Sequence, residues 1–241
     1  FKLGLMPILL WIVSACALIA LQPNFSTATL IFVITLMLLF IGNTNAWHLV
    51  LLSAGTIFVG LVYAMMAPYR RYRIFSFFGI DSPLSANAAP DPENYQAQQA
   101  VLAFGNGGIF GVGPGESRQS HLFLPESFGD FIFSIIGEEY GLVGTTIIIL
   151  IFAFILFRGL KIARNAPDLF GYFLSSGIII TISLYAFVSA AVNCGLLPTT
   201  GLPMPFVSYG GTAVIFYGVA IGILLNISAQ SGVFPRKENT E

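Results

Sequence analysis

Charged residues are scarce in this chain. They make up 9% of its 241 residues, whereas a soluble domain usually carries about 25%. Hydrophobic residues make up 56%, and the mean hydropathy is +0.85. This balance excludes an ordinary soluble domain and indicates an integral membrane protein. The net charge of -1 gives no electrostatic basis for binding nucleic acid.

Cysteine and histidine are almost absent. The two cysteines, Cys16 and Cys194, lie far apart beside apolar runs, so neither a disulfide framework nor a metal-binding spacing follows from them. The only histidines, His48 and His121, are expected on opposite sides of the membrane, which argues against a serine triad. These shortages leave carboxylates and arginines as the groups available for chemistry.

Nucleotide-binding motifs are also missing. The glycine cluster at 105–115 follows no strand and is not succeeded by Gly-Lys-Ser/Thr, so it is not a P-loop. Two interpretations stay open. The glycines form a tight loop that needs positive φ angles, or they let the backbone approach a ligand closely.

Apolar runs near the length that crosses about 30 Å of hydrocarbon recur along the chain, which predicts an all-α polytopic helix bundle rather than a barrel. The expected membrane helices are about 5–21, 27–41, 47–66, 130–157, 169–192 and 209–229. They form a single membrane domain over 1–241, with extracytoplasmic loops at 68–129 and 193–208. Ser26 or Thr27 is expected to cap the second helix. The chain opens on Phe1 without a signal peptide, so we expect a piece of a longer polypeptide.

The side of each loop follows from its basic residues. Six of the ten Lys and Arg residues fall on one side of a six-helix arrangement, which is therefore cytoplasmic. Arg70, Arg71 and Arg73 face outward against this tendency, which suggests an anionic ligand. In the same loop, Ala97, Ala100, Val101 and Phe104 have helical spacing, which predicts a short amphipathic helix on the membrane surface.

The run from Leu124 to Gly141 holds carboxylates in an apolar setting, where an ionised side chain needs a partner, a wet cavity or a function. Asp130 is expected to open the fourth membrane helix. Four further residues lie on the same face and predict either a helix-packing seam or a cavity wall; they are Ser134, Gly137, Glu138 and Gly141. Glu138 and Glu139 are expected to pair with Arg or Lys more than to act in catalysis. Glu126 is a loop charge near the membrane.

A carboxylate and arginines at an outward-facing mouth suit one class of substrate. Arginine binds phosphate and pyrophosphate through a bidentate fork. A carboxylate in such a site can act as a general base. We therefore expect a lipid-linked phosphate that is processed at the outer leaflet.

Several motifs occur in a fixed order over nearly the whole chain. They are Asn94-Tyr95-Gln96, Ala103-Phe104-Gly105-Asn106-Gly107, Gly111-Val112-Gly113, Leu124-Pro125-Glu126, Asp130-Phe131-Ile132-Phe133, Ile136-Gly137-Glu138-Glu139, and Gly201-Leu202-Pro203 through Ser208-Tyr209-Gly210-Gly211. Together they resemble the SEDS family (shape, elongation, division and sporulation). The segment Gly113–Gln119 is more similar to the division-type than to the elongation-type members.

The resemblance implies a peptidoglycan glycosyltransferase of the bacterial cytoplasmic (inner) membrane that polymerises lipid II and releases undecaprenyl pyrophosphate. It implies ten membrane helices, of which this chain has the last six. It assigns to Asp130 the role of general base for the acceptor 4-hydroxyl. Class B penicillin-binding proteins and other membrane proteins of the division complex are the implied partners.

Further substrate contacts are expected around Asp130, with a divalent cation (Mg²⁺ or Mn²⁺) considered beside the pyrophosphates. The expected substrate-binding residues are Arg70, Arg71, Arg73, Arg118, Gln119, Glu126 and Ser208, and Ser134 and Glu138 are expected to line the cavity or support it.

One position departs from the family pattern, since Asn24 stands where an Asp is usual. Any acidic or metal-binding role of that Asp is therefore in doubt here. Two other functions stay open, a lipid II flippase or related transporter and a non-catalytic division scaffold.

Overall fold

The computed structural model describes residues 5–22, 24–66, 75, 77, 92–119 and 128–230. All regular structure in these ranges is helical. The helices are α1 (Leu5–Leu21), α2 (Phe25–Ile41), α3 (Ala46–Met66), α4 (Pro92–Gly107), α5 (Ile132–Arg164), α6 (Leu169–Asn193) and α7 (Gly211–Gln230). The predicted all-α fold is confirmed.

The helix bounds agree with the sequence within a few residues, except in α5. Three helices (α5, α6 and α7) are long and apolar enough to cross a membrane, and α1 to α3 contain shorter apolar segments. The count of six membrane spans stays a prediction. The helix expected over 130–157 begins instead at Ile132 and continues to Arg164.

Asn24 caps α2, where the sequence suggested Ser26 or Thr27. Its side-chain oxygen accepts a hydrogen bond of 3.3 Å from the backbone N–H of Thr27. An aspartate would cap a helix in the same way. The amide at this position therefore keeps the capping function, although it carries no charge.

The α6 helix lies at the centre of the fold, because it contacts α2, α4, α5 and α7. Two buried clusters surround it; one comprises Ile34, Ile162, Ile179, Ile180, Leu224 and Ile227, and the other Phe133, Phe152, Ile182, Ala186, Ala190 and Met204. A Cβ atom added to Gly159 would lie 2.3 Å from Cγ1 of Ile179, so a glycine sets the close approach of α5 and α6. Small residues at helix contacts are typical of membrane bundles.

The α5 helix is broken at Gly141, whose φ of 65° and ψ of -160° are not helical. The break removes hydrogen bonds between successive turns, and the loop after α4 supplies replacements. The backbone N–H groups of Val112 and Gly113 donate to the carbonyls of Glu138 and Glu139 at 3.0 and 3.1 Å. The amides of Leu142 and Val143 donate to Gly108 and Ile109 at 2.9 and 3.2 Å. Backbone groups in a bilayer must be paired within the protein, and this loop satisfies that requirement.

The α4 helix runs beside the first half of α5 and parallel to it. Early in α4, Ala100 packs with Phe131 and Ile135. Later in α4, the ring of Phe104 packs against that of Phe133, with the two ring centroids 5.7 Å apart. The helix then ends against the backbone of residues 137–138. A helix forms where the short helix was predicted, and it runs alongside α5. Val101 of the predicted apolar face is 46% exposed. The position of this helix on the membrane surface stays a prediction.

The glycine cluster adopts the conformations that only glycine adopts readily. Gly108, Gly111, Gly113 and Gly115 have φ angles of 54°, 82°, 116° and 79°. The tight-loop interpretation is confirmed, and the close approach at Gly111 is to the backbone of α5.

Candidate active site

Asp130 lies in the turn that precedes α5 and is partly exposed. Three consecutive carbonyls of this turn accept hydrogen bonds from the end of α6 and the Pro-rich loop that follows it. The donors are the N–H of Tyr209 to Phe128 O (2.8 Å), the hydroxyl of Ser208 to Gly129 O (2.7 Å) and Nδ2 of Asn193 to Asp130 O (2.9 Å). The backbone that carries Asp130 is therefore fixed from one side.

Asn193 also completes the start of α5. The N-cap residue of α5, Phe131, has no side chain that can accept a hydrogen bond from the first turn. Asn193 Oδ1 accepts a hydrogen bond of 3.0 Å from the backbone N–H of Ser134, which also donates to the carbonyl of Phe131 at 3.0 Å. The last residue of α6 thus takes the place of a cap residue for α5, and only 1% of its surface is exposed.

The Pro-rich loop packs tightly beside the Asp130 carboxylate. A Cβ atom added to Gly201, whose φ is 64°, would lie 3.5 Å from Oδ2 of Asp130. The loop is anchored by Leu202 and Met204, which are 4% and 1% exposed. Ser208 Oγ accepts a hydrogen bond of 2.7 Å from Met204 N while it donates to the turn. Both interactions tie the Ser208 hydroxyl to the backbone, and its role in substrate binding stays a prediction.

Glu138 lies about 9 Å along α5 from Ile132, at 1.5 Å per residue, and is 1% exposed. Its Oε2 accepts hydrogen bonds from the hydroxyl of Ser117 at 2.5 Å and the N–H of Gln119 at 3.2 Å. Its Oε1 accepts from Nδ2 of Asn106 at 3.2 Å. These donors are neutral, whereas the sequence suggested an Arg or Lys. Through these hydrogen bonds, the Glu138 carboxylate connects α5 to the end of α4 and to the loop that follows α4.

The face of α5 that carries Ser134, Gly137, Glu138 and Gly141 is a helix-packing seam at its two glycines. A Cβ atom on Gly137 would lie 2.5 Å from the ring of Phe104, and one on Gly141 would lie 2.5 Å from Gly111 N. Ser134 is fully buried, and its hydroxyl donates to Phe131 O.

The predicted substrate-binding residues are only partly brought together. Arg118 is exposed, whereas Gln119 is 6% exposed and its Oε1 has no hydrogen-bond partner in the described part of the chain. Arg70, Arg71, Arg73 and Glu126 lie outside the described residues.

The described residues contain no group of three or more His, Cys, Asp or Glu side chains that could hold a metal ion.

The supporting residues Asn193, Asn106 and Ser117 were not predicted from the sequence. A buried Asn at the end of an apolar helix is a detectable signal, since such a residue needs partners. Its partners are backbone atoms of residues 130 and 134, however, and no sequence pattern identifies those.

Replacement of Glu138 by glutamine is expected to destabilise the fold by about 1–3 kcal/mol, because one acceptor oxygen remains where the carboxylate supplies two for three buried donors. The measurement is thermal unfolding of the full-length protein in detergent. Glu139→Gln is the matched control, since its neighbouring side chain is only half-buried, and its effect should stay within about 0.5 kcal/mol. Equal effects of the two substitutions would contradict the role assigned to Glu138.

Comparison with known proteins now adds to this geometry. The family described as "Cell cycle protein" (FtsW, RodA, SpoVE) matches residues 2–232. The chain belongs to this family. The resemblance to the SEDS proteins is therefore confirmed.

Two relatives are similar to this chain over most of its length. It is 40% identical over 235 residues to "Stage V sporulation protein E" of Bacillus subtilis, covering 96% of this chain and 62% of that protein. It is 38% identical over 232 residues to "Probable peptidoglycan glycosyltransferase FtsW" of Geobacter metallireducens, covering 95% of this chain and 60% of that protein. The chain thus spans about three fifths of the length of these relatives.

A solved structure shares the fold. It comes from work titled "Structural coordination of polymerization and crosslinking by a peptidoglycan synthase complex" and matches with a TM-score of 0.73 at 24% identity. The match covers 93% of this chain and 61% of that one.

Proposed function

We propose that this chain belongs to a peptidoglycan glycosyltransferase that polymerises lipid II into glycan strands at the outer leaflet during cell division. The observation that carries the proposal is the turn of Asp130, whose three carbonyls are hydrogen-bonded to α6 and the Pro-rich loop. A fixed backbone restricts where the Asp130 carboxylate can lie, and a general base must lie within hydrogen-bond reach of the proton that it takes. The FtsW relatives, which are named as probable peptidoglycan glycosyltransferases, support the reaction and the division type.

In the proposed reaction, Asp130 takes the proton from the 4-hydroxyl of the acceptor lipid II. The resulting oxygen nucleophile attacks the anomeric carbon of the donor chain. The bond from that carbon to undecaprenyl pyrophosphate breaks, the lipid pyrophosphate leaves, and the anomeric configuration inverts. Asp130 then releases its proton to solvent and returns to the ionised form.

The pyrophosphates are assigned to arginines. Arg118 is exposed beside the loop that packs on α5, and Arg70, Arg71, Arg73 and Glu126 remain candidates from the sequence. Gln119 is a weaker candidate, since it is buried. A divalent cation beside the pyrophosphates remains a candidate from the sequence, and no step of this mechanism passes through it.

A class B penicillin-binding protein is the proposed partner, in agreement with the synthase complex that shares the fold. Other division proteins of the bacterial inner membrane are proposed as further partners.

The deciding experiment is glycan-chain formation from purified lipid II by the full-length protein with its transpeptidase partner. We expect long glycan chains with the native protein and none with Asp130→Asn. Full activity of the variant would refute the assignment of Asp130.

A transporter is the second candidate, and one observation favours it. Discontinuous helices are common at transporter binding sites, and α5 is broken at Gly141. Here the freed backbone groups are taken by the loop after α4, which leaves fewer of them for a substrate. Movement of fluorescent lipid II across vesicles that is independent of Asp130 would favour the transporter. A pure scaffold would instead support cell division when Asp130 is replaced.

The proposed orientation can be tested at Cys194. This residue is exposed at the end of α6, and neighbouring groups desolvate its thiol and raise its pKa. In a protein whose only cysteines are Cys16 and Cys194, a membrane-impermeant maleimide should label intact spheroplasts. The rate of labelling at Cys194 should rise with pH, because the thiolate is the reactive form. The raised pKa of the thiol keeps the thiolate scarce near neutral pH.

Cys194→Ser is the control for this labelling. Cys16 then remains, partly buried in α1, with Sγ donating to Ala28 O at 3.6 Å. Labelling of Cys194 in inside-out vesicles alone would contradict the orientation.

A further inference from the structure

Asn193 joins two structural elements with one buried side chain. Its Nδ2 donates to Asp130 O at 2.9 Å and to Ser189 O at 2.9 Å, while its Oδ1 accepts from Ser134 N at 3.0 Å. All of its amide atoms are therefore used, and two of the three bonds hold the residues on either side of the start of α5. One side chain thus bonds both the turn of Asp130 and the first turn of α5.

We propose that Asn193 is the positioning residue that sets the place of Asp130 for proton transfer. The inference rests on the proposed function, because it gives Asp130 the role of general base. Asn193 does not touch the carboxylate in these contacts; it acts through the carbonyl of Asp130 and through the helix start that follows. A displacement of about 1 Å in a reacting group can cost roughly 100-fold in rate.

The α6 helix makes this restraint rigid. Asn193 is its last residue, and Ala186 and Ala190 on the preceding turns are 0% and 5% exposed. The packing of α6 in the core thus sets the position of Asn193. Through Asn193, the same packing sets the position of the Asp130 backbone.

The test compares Asn193→Leu and Asn193→Ala with the native full-length protein in lipid II polymerisation. We expect kcat to fall by about 10- to 100-fold, with KM changed less than about twofold, because substrate contacts are kept while the base is displaced. The smaller alanine guards against a clash from leucine. Gel filtration and thermal unfolding in detergent show that the variants fold.

Ser189→Ala is the matched control. Ser189 lies one turn earlier on α6 and is 1% exposed, and its hydroxyl has no hydrogen-bond partner in the described part of the chain. Its removal should leave kcat and KM unchanged.

The outcomes separate this inference from the proposed function. If Asp130→Asn abolishes polymerisation while folded Asn193→Ala keeps the native kcat, the positioning role of Asn193 is wrong and the base stands. If Asp130→Asn keeps the native rate, the proposed function itself fails. A rise in KM with native kcat for the Asn193 variants would also overturn the inference, since it would indicate substrate binding.

Discussion

Asp130→Asn is expected to lower the rate of lipid II polymerisation by about 10²- to 10⁴-fold, the range that general-base catalysis supplies. Asparagine has nearly the same shape as aspartate, and the carbonyl of residue 130 still accepts from Asn193. The fold should therefore persist, and only the proton acceptor is lost. The measurement is the initial rate of glycan-chain formation, with lipid II binding measured separately.

The matched control is Asp168→Asn at the opposite end of the bundle. Asp168 caps α6 by accepting a hydrogen bond of 2.8 Å from Gly171 N. Asparagine is as good a cap as aspartate, so stability and activity should both remain near native values. A comparable loss of rate in the two variants would argue for a general effect of charge removal and against a base at Asp130.

Gly107→Ala is expected to prevent α4 from packing against α5. The added Cβ atom would lie 2.0 Å from the carbonyl oxygen of Gly137 and 2.8 Å from Cα of Glu138, and both are backbone atoms of α5. Backbone at such a contact can yield only if α4 separates from α5, which we expect to cost at least about 3 kcal/mol. The measurement is the yield of monodisperse full-length protein and its thermal unfolding in detergent.

Gly105→Ala provides the control two residues earlier in the same helix. Nothing lies within 4 Å of a Cβ atom at this position. Alanine favours helix over glycine, so the substitution should leave stability unchanged or raise it by about 0.4–1 kcal/mol. Native stability of Gly107→Ala would show that α4 and α5 do not meet as closely as described.

The sequence was sufficient for the helical architecture and for the family. Helix α6 was predicted within one residue, because a long apolar run is bounded by Asp168 on one side and by the Asn193–Gly195 turn on the other. Composition decides such features locally. The motifs that carry the resemblance also predicted Asp130 as the site residue.

The break in α5 could not be predicted in the same way. Glycine is common in membrane helices, so Gly141 by itself gives no signal. The groups that stabilise the break lie in the loop at 108–113, about thirty residues earlier in the chain. The neutral partners of Glu138 could not be predicted either, because they too lie in a segment distant in sequence. A buried carboxylate suggests a cation, whereas hydroxyl and amide donors from a distant loop satisfy this one.

The pairing of the broken helix with a distant loop has a consequence for biogenesis. A nascent segment from Ile132 to Arg164 is apolar enough to enter the bilayer as one uninterrupted helix, in which Gly141 would take ordinary helical angles. The break becomes affordable only when the loop at 108–113 arrives to take up the freed amides and carbonyls. We expect α5 to unwind at Gly141 as the loop docks, because the loop supplies the partners that the break requires. Protease resistance of the loop should therefore appear together with the break and not before it.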